Sequence, residues 1–327
     1  MVQPISLNQK YNKYYNNNYY ALAFHGIQKQ TKSLDSRIKY LTQQLESKLK
    51  TDEDIACKIS DYKKYISQCA DSEQILIVLE RLFNASKFFS RISINEKRFG
   101  KNFDFALKMN KLSEMVTKLI KNETDFESML KQLETNYIDA TDRYREKYYF
   151  HKTGYRGEGV GTPPDTETIT SFTRYTYGED YFERFEYLRK PPYEDFTLTE
   201  KDYYGLIRMV LKHPSPKQVD KNMKIIANRY KIFQTLVAMH KNTKELNTEQ
   251  IKEVDDIISE IYYLMANTCP YYNGTNGMCD ILMRSMYAVF GIDKPHIKHG
   301  ISLDLESFCM NLNDYKKRWN NCFEGCL

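Results

Sequence analysis

The recurrence of apolar residues at steps of three and four positions constrains the fold of this chain more than any other feature. Leu34, Ile38, Leu41 and Leu45 follow this spacing and therefore share one face of a helix. Three further segments before residue 150 show the same pattern. We therefore predict a mostly α-helical protein in which residues 31–150 form an N-terminal helical region, either a bundle or arms packed around a second unit.

The second half of the chain also carries helix signals. Ser215 followed by Pro216 is a typical helix start, because the hydroxyl caps the helix and proline suits its first position. Asn247 and Gln250 have the spacing of a capping box. The segment TEKDYYGLIRMVLKH, residues 199–213, is predicted to be helical up to the proline that follows it.

A segment of different composition separates these two helical halves. Residues 151–180 hold a group of glycines and prolines, and then β-branched residues alternate with polar ones. This pattern predicts a long loop followed by a short strand or hairpin. A loop of this length is often functional, so Arg156, Thr162 and Arg174 are candidates for closing over a ligand, and a plain surface connection is the alternative.

These features divide the chain into three parts. Residues 1–30 are rich in Tyr, Asn and Lys and are predicted to be a flexible leader. Residues 31–150 form the helical region, and residues 151–327 form the core that carries the candidate site.

Composition excludes several classes of protein. Hydrophobic residues make up 41% and charged residues 28% of the 327 positions, as in ordinary globular proteins. A net charge of +5 without a long basic run does not favour nucleic-acid binding. No apolar stretch is long enough for a membrane span, and the N-terminal residues show neither a secretory signal nor an acylation motif. The seven scattered cysteines favour reduced thiols, and no zinc spacing is present.

The stretch CPYYNGTNG, residues 269–277, is the most unusual turn in the sequence. Pro270 ends the preceding helix, and Gly274 and Gly277 permit backbone angles that other residues resist. Thr275 and Asn276 are predicted to cap the helix that follows. Uncommitted amides at such a helix start favour an anion, although an ordinary corner between two helices would use the same residues. A P-loop or Rossmann site is excluded, because no strand precedes the turn and no lysine follows it.

Around this turn the sequence resembles the Fic/Fido proteins, and within that fold it is most similar to the AvrB-type bacterial effectors. The similarity rests on IYYLMANTCPYYNGTNGMCDILMRSMYAVFGIDKPHIKHGISLDLESF and DYKKRW, which together span residues 261–319. The positions that agree with the family pattern are Pro270, Gly274, Gly291, Ile292, Pro295, Gly300, Asp304 and Glu306. The resemblance implies a Fido-like helical core with a short β-hairpin and a long loop, preceded by an N-terminal helical extension.

The resemblance also implies a set of site residues. Asp304 would bind ribose or sugar hydroxyls or act as a base toward an acceptor hydroxyl, and the alternative is an acid that stabilises its own helix with Ser302 as cap. A phosphate cradle would consist of Asn273, Gly274, Thr275 and Asn276.

Two lysines and one threonine complete this set. Lys217 and Lys221 share a helix face and would contact a diphosphate, with Lys221 assisting catalysis, although solvated surface lysines are the alternative. Thr162 matches a Thr–Pro of the family.

The sequence departs from these families at important positions. Where Fic enzymes have a catalytic histidine, this chain has Cys269, which is a candidate nucleophile or a buried free thiol. The cleft arginine of AvrB-type proteins is replaced by Asn273, and Lys217 and Lys221 stand where the family has Asp and His. His296 and His299 are too few for a metal site, so no metal is predicted, and Arg284 is expected to pair with a nearby acid.

From this resemblance we expect an effector that is secreted from a bacterium into the host cytoplasm. It would use a nucleotide or nucleotide-sugar, such as UDP- or dTDP-rhamnose or an ADP-type donor, to modify Ser or Thr hydroxyls of a host protein. Glycosyl transfer such as rhamnosylation is the first expectation and nucleotidyl transfer the second. The alternative is a non-catalytic adaptor that binds host proteins or receptor-associated partners, and the missing family arginine favours it.

Overall fold

The computed structural model describes residues 33–49, 62–89, 103–146, 155–156, 169–172, 197–203, 206–243, 245–271 and 274–325. The predicted, mostly helical fold is confirmed, whereas the Fido-like arrangement of the helices stays a prediction. The helices are α1 (Leu34–Leu49), α2 (Ser72–Ser86), α3 (Phe103–Lys121), α4 (Phe126–Glu146), α5 (Pro216–His240), α6 (Thr248–Thr268), α7 (Thr275–Val289), α8 (Leu303–Phe308) and α9 (Leu312–Arg318), followed by a 3-10 turn at Trp319–Cys322. Within these ranges, no helix has both the length and the apolar content that crossing a bilayer requires.

Two helices begin where the sequence predicts, at Ser215 and Asn247, and a third has the same kind of cap. The Asp71 side chain accepts a hydrogen bond from the first turn of α2. Ser215 caps α5 in the same way, with Pro216 as the first helical residue. Asn247 and Gln250 form the reciprocal bonds of a capping box at the start of α6. Local capping chemistry therefore fixes the frame of the C-terminal half.

A three-stranded antiparallel sheet lies between α4 and α5 in the chain. Its strands are β1 (Ile169–Phe172), β2 (Thr197–Tyr203) and β3 (Leu206–Lys212), in the order β1-β3-β2. The predicted helix over residues 199–213 is wrong, because β2 and β3 pair from Thr197↔Lys212 to Tyr203↔Leu206. In the sequence, Tyr204 and Gly205 separate these two strands, and the β-branched Ile207 and Val210 follow. A glycine between two such runs is a hairpin signal that outweighs the helical spacing.

Buried apolar side chains form two clusters. The smaller cluster joins α1, α2 and the first turn of α3, where Leu45, Leu79 and Ala106 are fully buried. The larger cluster draws on α3 to α9 and contains Tyr230, Tyr263 and Trp319 among its largest side chains. Helix α6 crosses this larger core, and all of its residues from Ile261 to Thr268 are buried. The division of the chain at residue 150 stays a prediction.

Helix α7 packs against α3 and α6, and a buried polar network fixes its C-terminal end. Lys294 Nζ donates to Asp255 Oδ1 at 2.8 Å, and Asn320 Nδ2 donates to Asp255 Oδ2 at 2.9 Å. Tyr287 also donates to Asp255, and Trp319 Nε1 donates to the Tyr287 oxygen at 2.7 Å. Both carboxylate oxygens are thereby bonded and the charge is balanced.

Arg284, in the middle of α7, supports the loop after that helix. Its guanidinium donates to the carbonyl oxygens of Lys294 at 2.7 Å and Pro295 at 3.0 Å. The side chain is buried. These hydrogen bonds go to backbone carbonyls, and the Arg284 charge also lowers the pKa of Asp280, the acid with which the sequence predicts that it pairs.

Candidate active site

The turn at the start of α7 departs from its predicted geometry in one respect. Gly274 is the N-cap with φ of 88°, whereas the sequence predicts Thr275 or Asn276 at that position. Thr275 is the first helical residue and is buried, and its hydroxyl contacts the backbone nitrogen and oxygen of Tyr271, each at 3.2 Å. Thr275 therefore closes the turn internally, because its hydroxyl is already bonded to the backbone.

The first amides of α7 have no acceptor among the described residues. No side chain caps the helix, and the N–H groups of Thr275, Asn276 and Gly277 donate to no described residue. Three convergent amide donors at the positive end of a helix dipole favour an anionic group. This is the local property that a phosphate cradle requires.

One side of this helix start is covered by Tyr137 of α4. A Cβ at Gly274 would lie 2.4 Å from Tyr137 Cε1, and one at Gly277 would lie 2.3 Å from the Tyr137 hydroxyl oxygen. Tyr137 is itself buried. The two glycines are therefore explained by close packing of the ring against the first turn, independently of any ligand.

The face of α7 that carries Asn276 and Asp280 is polar. The Tyr262 hydroxyl lies 2.8 Å from Asn276 Oδ1 and 2.8 Å from Asp280 Oδ1. The Tyr262 hydroxyl is the donor in both contacts, and its single proton is shared between the two acceptors. Burial and the negative charge of Asp304 raise the pKa of Asp280 to about 7, against the opposing effects of the Tyr262 hydrogen bond and the Arg284 charge. Asp280 therefore gains and loses a proton near neutral pH.

Asp304 lies in the first turn of α8 and faces this polar side. Burial raises the pKa of Asp304, and hydrogen bonds from Ser302 and from the backbone of its own helix oppose that rise. Its charge acts on Tyr262, Cys279 and Asp280. Asp304 is thus both an acid at its own helix start and the charged neighbour of Asp280.

The two cysteines at this junction are thiols. Burial raises the pKa of Cys269 and, more strongly, that of Cys279. Cys269 Sγ lies 3.7 Å from the carbonyl oxygen of Tyr271 and 3.8 Å from Thr275 Oγ1. Because the thiolate is the nucleophilic form, this environment does not favour nucleophilic catalysis by Cys269.

Arg156 has a structural position that the sequence does not suggest. Its guanidinium is buried and donates to the carbonyl oxygens of Cys269 at 2.6 Å and Pro214 at 2.7 Å. A cation at the carbonyl end of α6 complements the helix dipole. Burial, together with the Arg156 charge, lowers the pKa of the adjacent His213 to about 3, so that imidazole is neutral. Arg156 therefore links the backbone at Pro214 to the backbone at Cys269. Because its side chain is buried there, it is not positioned to close over a cleft.

The two predicted lysines lie on an exposed face at the start of α5. Lys217 and Lys221 are exposed, and neither forms a hydrogen bond or ion pair with a described residue. Asp220 lies between them and accepts a hydrogen bond from the Tyr155 hydroxyl at 2.8 Å. The Tyr155 ring packs edge-on against Tyr271, with ring centroids 6.0 Å apart. The lysine face therefore adjoins the α7 turn through two tyrosines, without direct contact to Asp304.

The remaining predicted residues lie elsewhere. Asn273, Thr162 and Arg174 are outside the described residues. His296 lies 2.7 Å from the Ser86 hydroxyl through Nε2. Across the described part of the chain, no group of three or more His, Cys, Asp or Glu side chains has the arrangement of a metal site.

A small cavity lies between α6 and α7 next to Tyr262. Its volume is about 10 Å³, and its lining includes Met265, Leu282 and Met286. This volume is about that of one water molecule, and the lining is apolar. It is a packing void and cannot hold a donor nucleotide.

Comparison with known families identifies the family to which the chain belongs. A family described as avirulence protein, AvrB/AvrC, matches residues 79–325. The chain belongs to the AvrB/AvrC family. The predicted AvrB-type resemblance is thereby confirmed, and the protein is a bacterial avirulence effector, delivered into a host cell and directed at host proteins. No curated protein matches the chain.

In this AvrB/AvrC-family protein, sequence reasoning missed three residues of the junction. Asp280 follows Asn276 by four positions, so a shared helix face was readable from the sequence. Tyr262 and Tyr137 come from α6 and α4, and no local pattern connects them to the α7 turn. Long-range packing alone brings these two tyrosines to the same helix start.

Proposed function

We propose that this effector is a glycosyltransferase of the host cytoplasm that moves a sugar from a nucleotide-sugar to a Ser or Thr hydroxyl of a host protein. The observation that supports the proposal best is the uncapped start of α7, where three amide donors lie beside two carboxyl groups of raised pKa. Carboxyl groups with perturbed pKa values cluster at functional sites, and amide donors at a helix start can stabilise the negative charge of a leaving group.

The donor would bind through its diphosphate. The amide N–H groups of Thr275, Asn276 and Gly277 suit phosphate oxygens, because they are donors at a helix N-terminus and no described residue accepts from them. Lys217 and Lys221 would supply positive charge from the start of α5. Asn273 and Thr162 complete the proposed donor-binding set with Gly274, and no metal is part of it.

Asp304 would bind the acceptor hydroxyl and take its proton. The acceptor oxygen attacks the anomeric carbon of the sugar, and the bond from that carbon to the diphosphate oxygen breaks. The bonding electrons leave with the nucleoside diphosphate, while the hydroxyl proton passes to the Asp304 carboxylate. The α7 amides and Lys221 stabilise the negative charge that develops on the leaving group.

Asp280 and Asp304 would have different protonation states and therefore different roles in the reaction. Because the Asp304 charge raises the pKa of Asp280, the two groups favour a state with one proton between them near neutral pH. In that state Asp280 holds the proton and Asp304 is the base. When their environments push the pKa values of two neighbouring carboxyl groups apart, one group commonly acts as the acid and the other as the base.

Calorimetric titration with UDP, ADP, UDP-rhamnose and dTDP-rhamnose tests donor binding. We expect one donor to bind, with binding abolished in Asp304→Ala and weakened several-fold in Lys221→Ala. Asp256→Asn is the matched control, because this acid is exposed on α6 and is not part of the site. If none of these nucleotides and nucleotide-sugars bound, the proposed transferase function would be wrong.

Mass spectrometry of host lysate treated with protein and donor then tests the reaction. We expect a sugar-sized mass increase on Ser or Thr of one or a few host proteins. Asp304→Asn should reduce the rate by about 10²–10⁴-fold, the range for losing a general base. An unchanged rate in Asp304→Asn would exclude Asp304 as that base.

A non-catalytic adaptor is the second candidate. It is favoured by Asn273 at the position of the family arginine and by the packing of Tyr137 over Gly274 and Gly277. An adaptor would bind no donor, and its capture of host proteins would persist in Asp304→Ala. The two candidates therefore give opposite results in the titration.

A further inference from the structure

The outer face of α5 carries apolar side chains that the core does not cover. Ile225, Ile232 and Met239 are 38%, 46% and 67% exposed. Their spacing is seven residues, so they lie along one line of the helix. The other face of α5 already buries residues such as Ile226 and Phe233. Helix α5 therefore has two apolar sides. One is buried in the core of the protein, and the other is exposed.

The exposed line continues as a regular seam. Lys221, Asn228 and Thr235 are also exposed and alternate with the three apolar residues at steps of four and three. This is the heptad spacing at which one helix packs along another. From the first to the last of these residues the seam is about 27 Å long at the usual helical rise. Its apolar positions alternate with polar ones, which is a pattern suited to a reversible helical partner.

Charge identifies the kind of helix that fits this seam. Helix α5 has five Lys or Arg residues and a single acid, Asp220. Lys224 and Lys231 are exposed along one edge of the seam. On the α6 side, Arg229 is already engaged by Glu260 at 2.7 Å. The open edge is therefore basic and calls for an acidic edge on the partner.

The same charges disfavour a second copy of this chain as the occupant. Two α5 seams packed together would place basic edges against the partner's basic residues, with only one acid in each helix to compensate. Like charges across such a seam select against the pairing.

We propose that the α5 seam, residues Lys221, Ile225, Asn228, Ile232, Thr235 and Met239, docks an amphipathic helix of a partner protein whose apolar heptad positions are bordered by Glu or Asp. The apolar residues of the partner cover the three exposed side chains of α5. Its acidic residues face Lys224 and Lys231. Lys221 at one end of the seam also belongs to the proposed donor site, whereas Ile225 to Met239 do not, so substitution of Ile232 tests the docking surface separately from the transfer reaction.

Fluorescence anisotropy with two labelled four-heptad peptides tests the proposal. Both peptides carry Leu at the apolar heptad positions, and the bordering positions are Glu in one and Lys in the other. The full chain should bind the Glu peptide at least about tenfold more tightly than the Lys peptide, a difference of about 1.4 kcal/mol. Equal binding of the two peptides, or binding of neither, would overturn the proposal.

Single substitutions locate the surface. Ile232→Asp should weaken binding of the Glu peptide by about tenfold or more. Ile77→Asp is the matched control, because Ile77 is 40% exposed on α2 and introduces the same charge away from the seam. Thermal unfolding of both variants checks that they fold. Equal binding by the two variants would place the peptide elsewhere and contradict the proposal.

A charge exchange tests the basic edge directly. Lys224→Glu combined with Lys231→Glu should reverse the preference, so that the Lys peptide binds more tightly than the Glu peptide. Sedimentation of the chain without peptide tests the alternative occupant. A dimer that dissociates in Ile232→Asp would identify a second copy and overturn the proposed acidic partner helix.

Discussion

The two ends of α7 hold buried carboxyl groups in opposite circumstances. At the C-terminal end, Asp255 is bonded on both oxygens and lies against the Lys294 cation. At the N-terminal end, burial and the charge of Asp304 raise the pKa of Asp280, and the amides of the first turn have no described acceptor. One end is organised for stability, and the other keeps polar groups available for a ligand.

The largest expected effect comes from breaking the balanced end. Lys294→Met leaves the Asp255 charge buried without its cation, and removal of one member of a buried pair costs about 3–5 kcal/mol. Urea denaturation measures the free energy of unfolding. Lys317→Met is the control, since its ion pair with Asp314 is exposed and should contribute less than about 1 kcal/mol. Equal losses in the two variants would erase the distinction between the two ends.

The next effect tests why the α7 turn contains glycine. Gly274→Ala places a Cβ against the Tyr137 ring and forces alanine to a φ of 88°, so we expect a loss of about 2–3 kcal/mol. Gly300→Ala is the matched control, because Gly300 has a φ of 78° with open space around its Cβ position. The difference between the two losses in a denaturation curve measures the Tyr137 contact. If the losses are equal, the packing explanation for Gly274 is wrong.

A smaller and pH-dependent effect is expected at Asp280. A folded-state pKa raised to about 7 stabilises the protein at low pH, and that stabilisation is lost as pH rises from about 4 to 7. Asn cannot ionise, so Asp280→Asn should gain stability relative to the unmodified protein across this window. After allowance for partial exposure we expect a gain on the order of 1–2 kcal/mol.

Denaturation at pH 4 and pH 8 measures this gain. Asp304→Asn offers a second reading, because loss of its charge lowers the pKa of Asp280 and moves the window to lower pH. A stability difference between Asp280→Asn and the unmodified protein that does not vary with pH would show that the pKa of Asp280 is not raised, and an unchanged window in Asp304→Asn would show that the two carboxyl groups do not interact.

The smallest effect is expected at Thr275. Thr275→Val keeps the shape and removes the hydroxyl that bonds to the Tyr271 backbone, so we expect a loss of about 1 kcal/mol. Donor affinity should be unchanged, because the Thr275 amide remains. Loss of donor binding without loss of stability would mean that the hydroxyl itself contacts the ligand.

Local signals predicted much of the helical frame. Ser215 and Asn247 carry capping information within four residues of sequence, and both helix starts are confirmed. The hairpin at residues 199–213 was mistaken for a helix, because a few apolar residues fit both periods and only the glycine distinguished them. The sequence therefore predicted helices correctly where a capping residue marks the first turn, and it failed where no such residue is present.

The site was predictable only in part. Gly274 and Asp304 follow from the family pattern in the sequence, and the structure places both at the α7 junction. The roles of Tyr137 and Arg156 depend on packing between distant segments, which no local spacing encodes. Asp280 lies between these cases, since its spacing from Asn276 is local and its raised pKa is a property of burial.

Arg156 has a consequence for how the sequence between it and Pro214 affects folding. Its guanidinium donates to the carbonyl oxygen of Pro214, and its backbone N–H donates to the carbonyl oxygen of Pro270. A direct hydrogen bond therefore holds residues 156 and 214 together. Because the closure cost of a loop grows only with the logarithm of its length, adding residues between these two fixed points would cost little folding free energy.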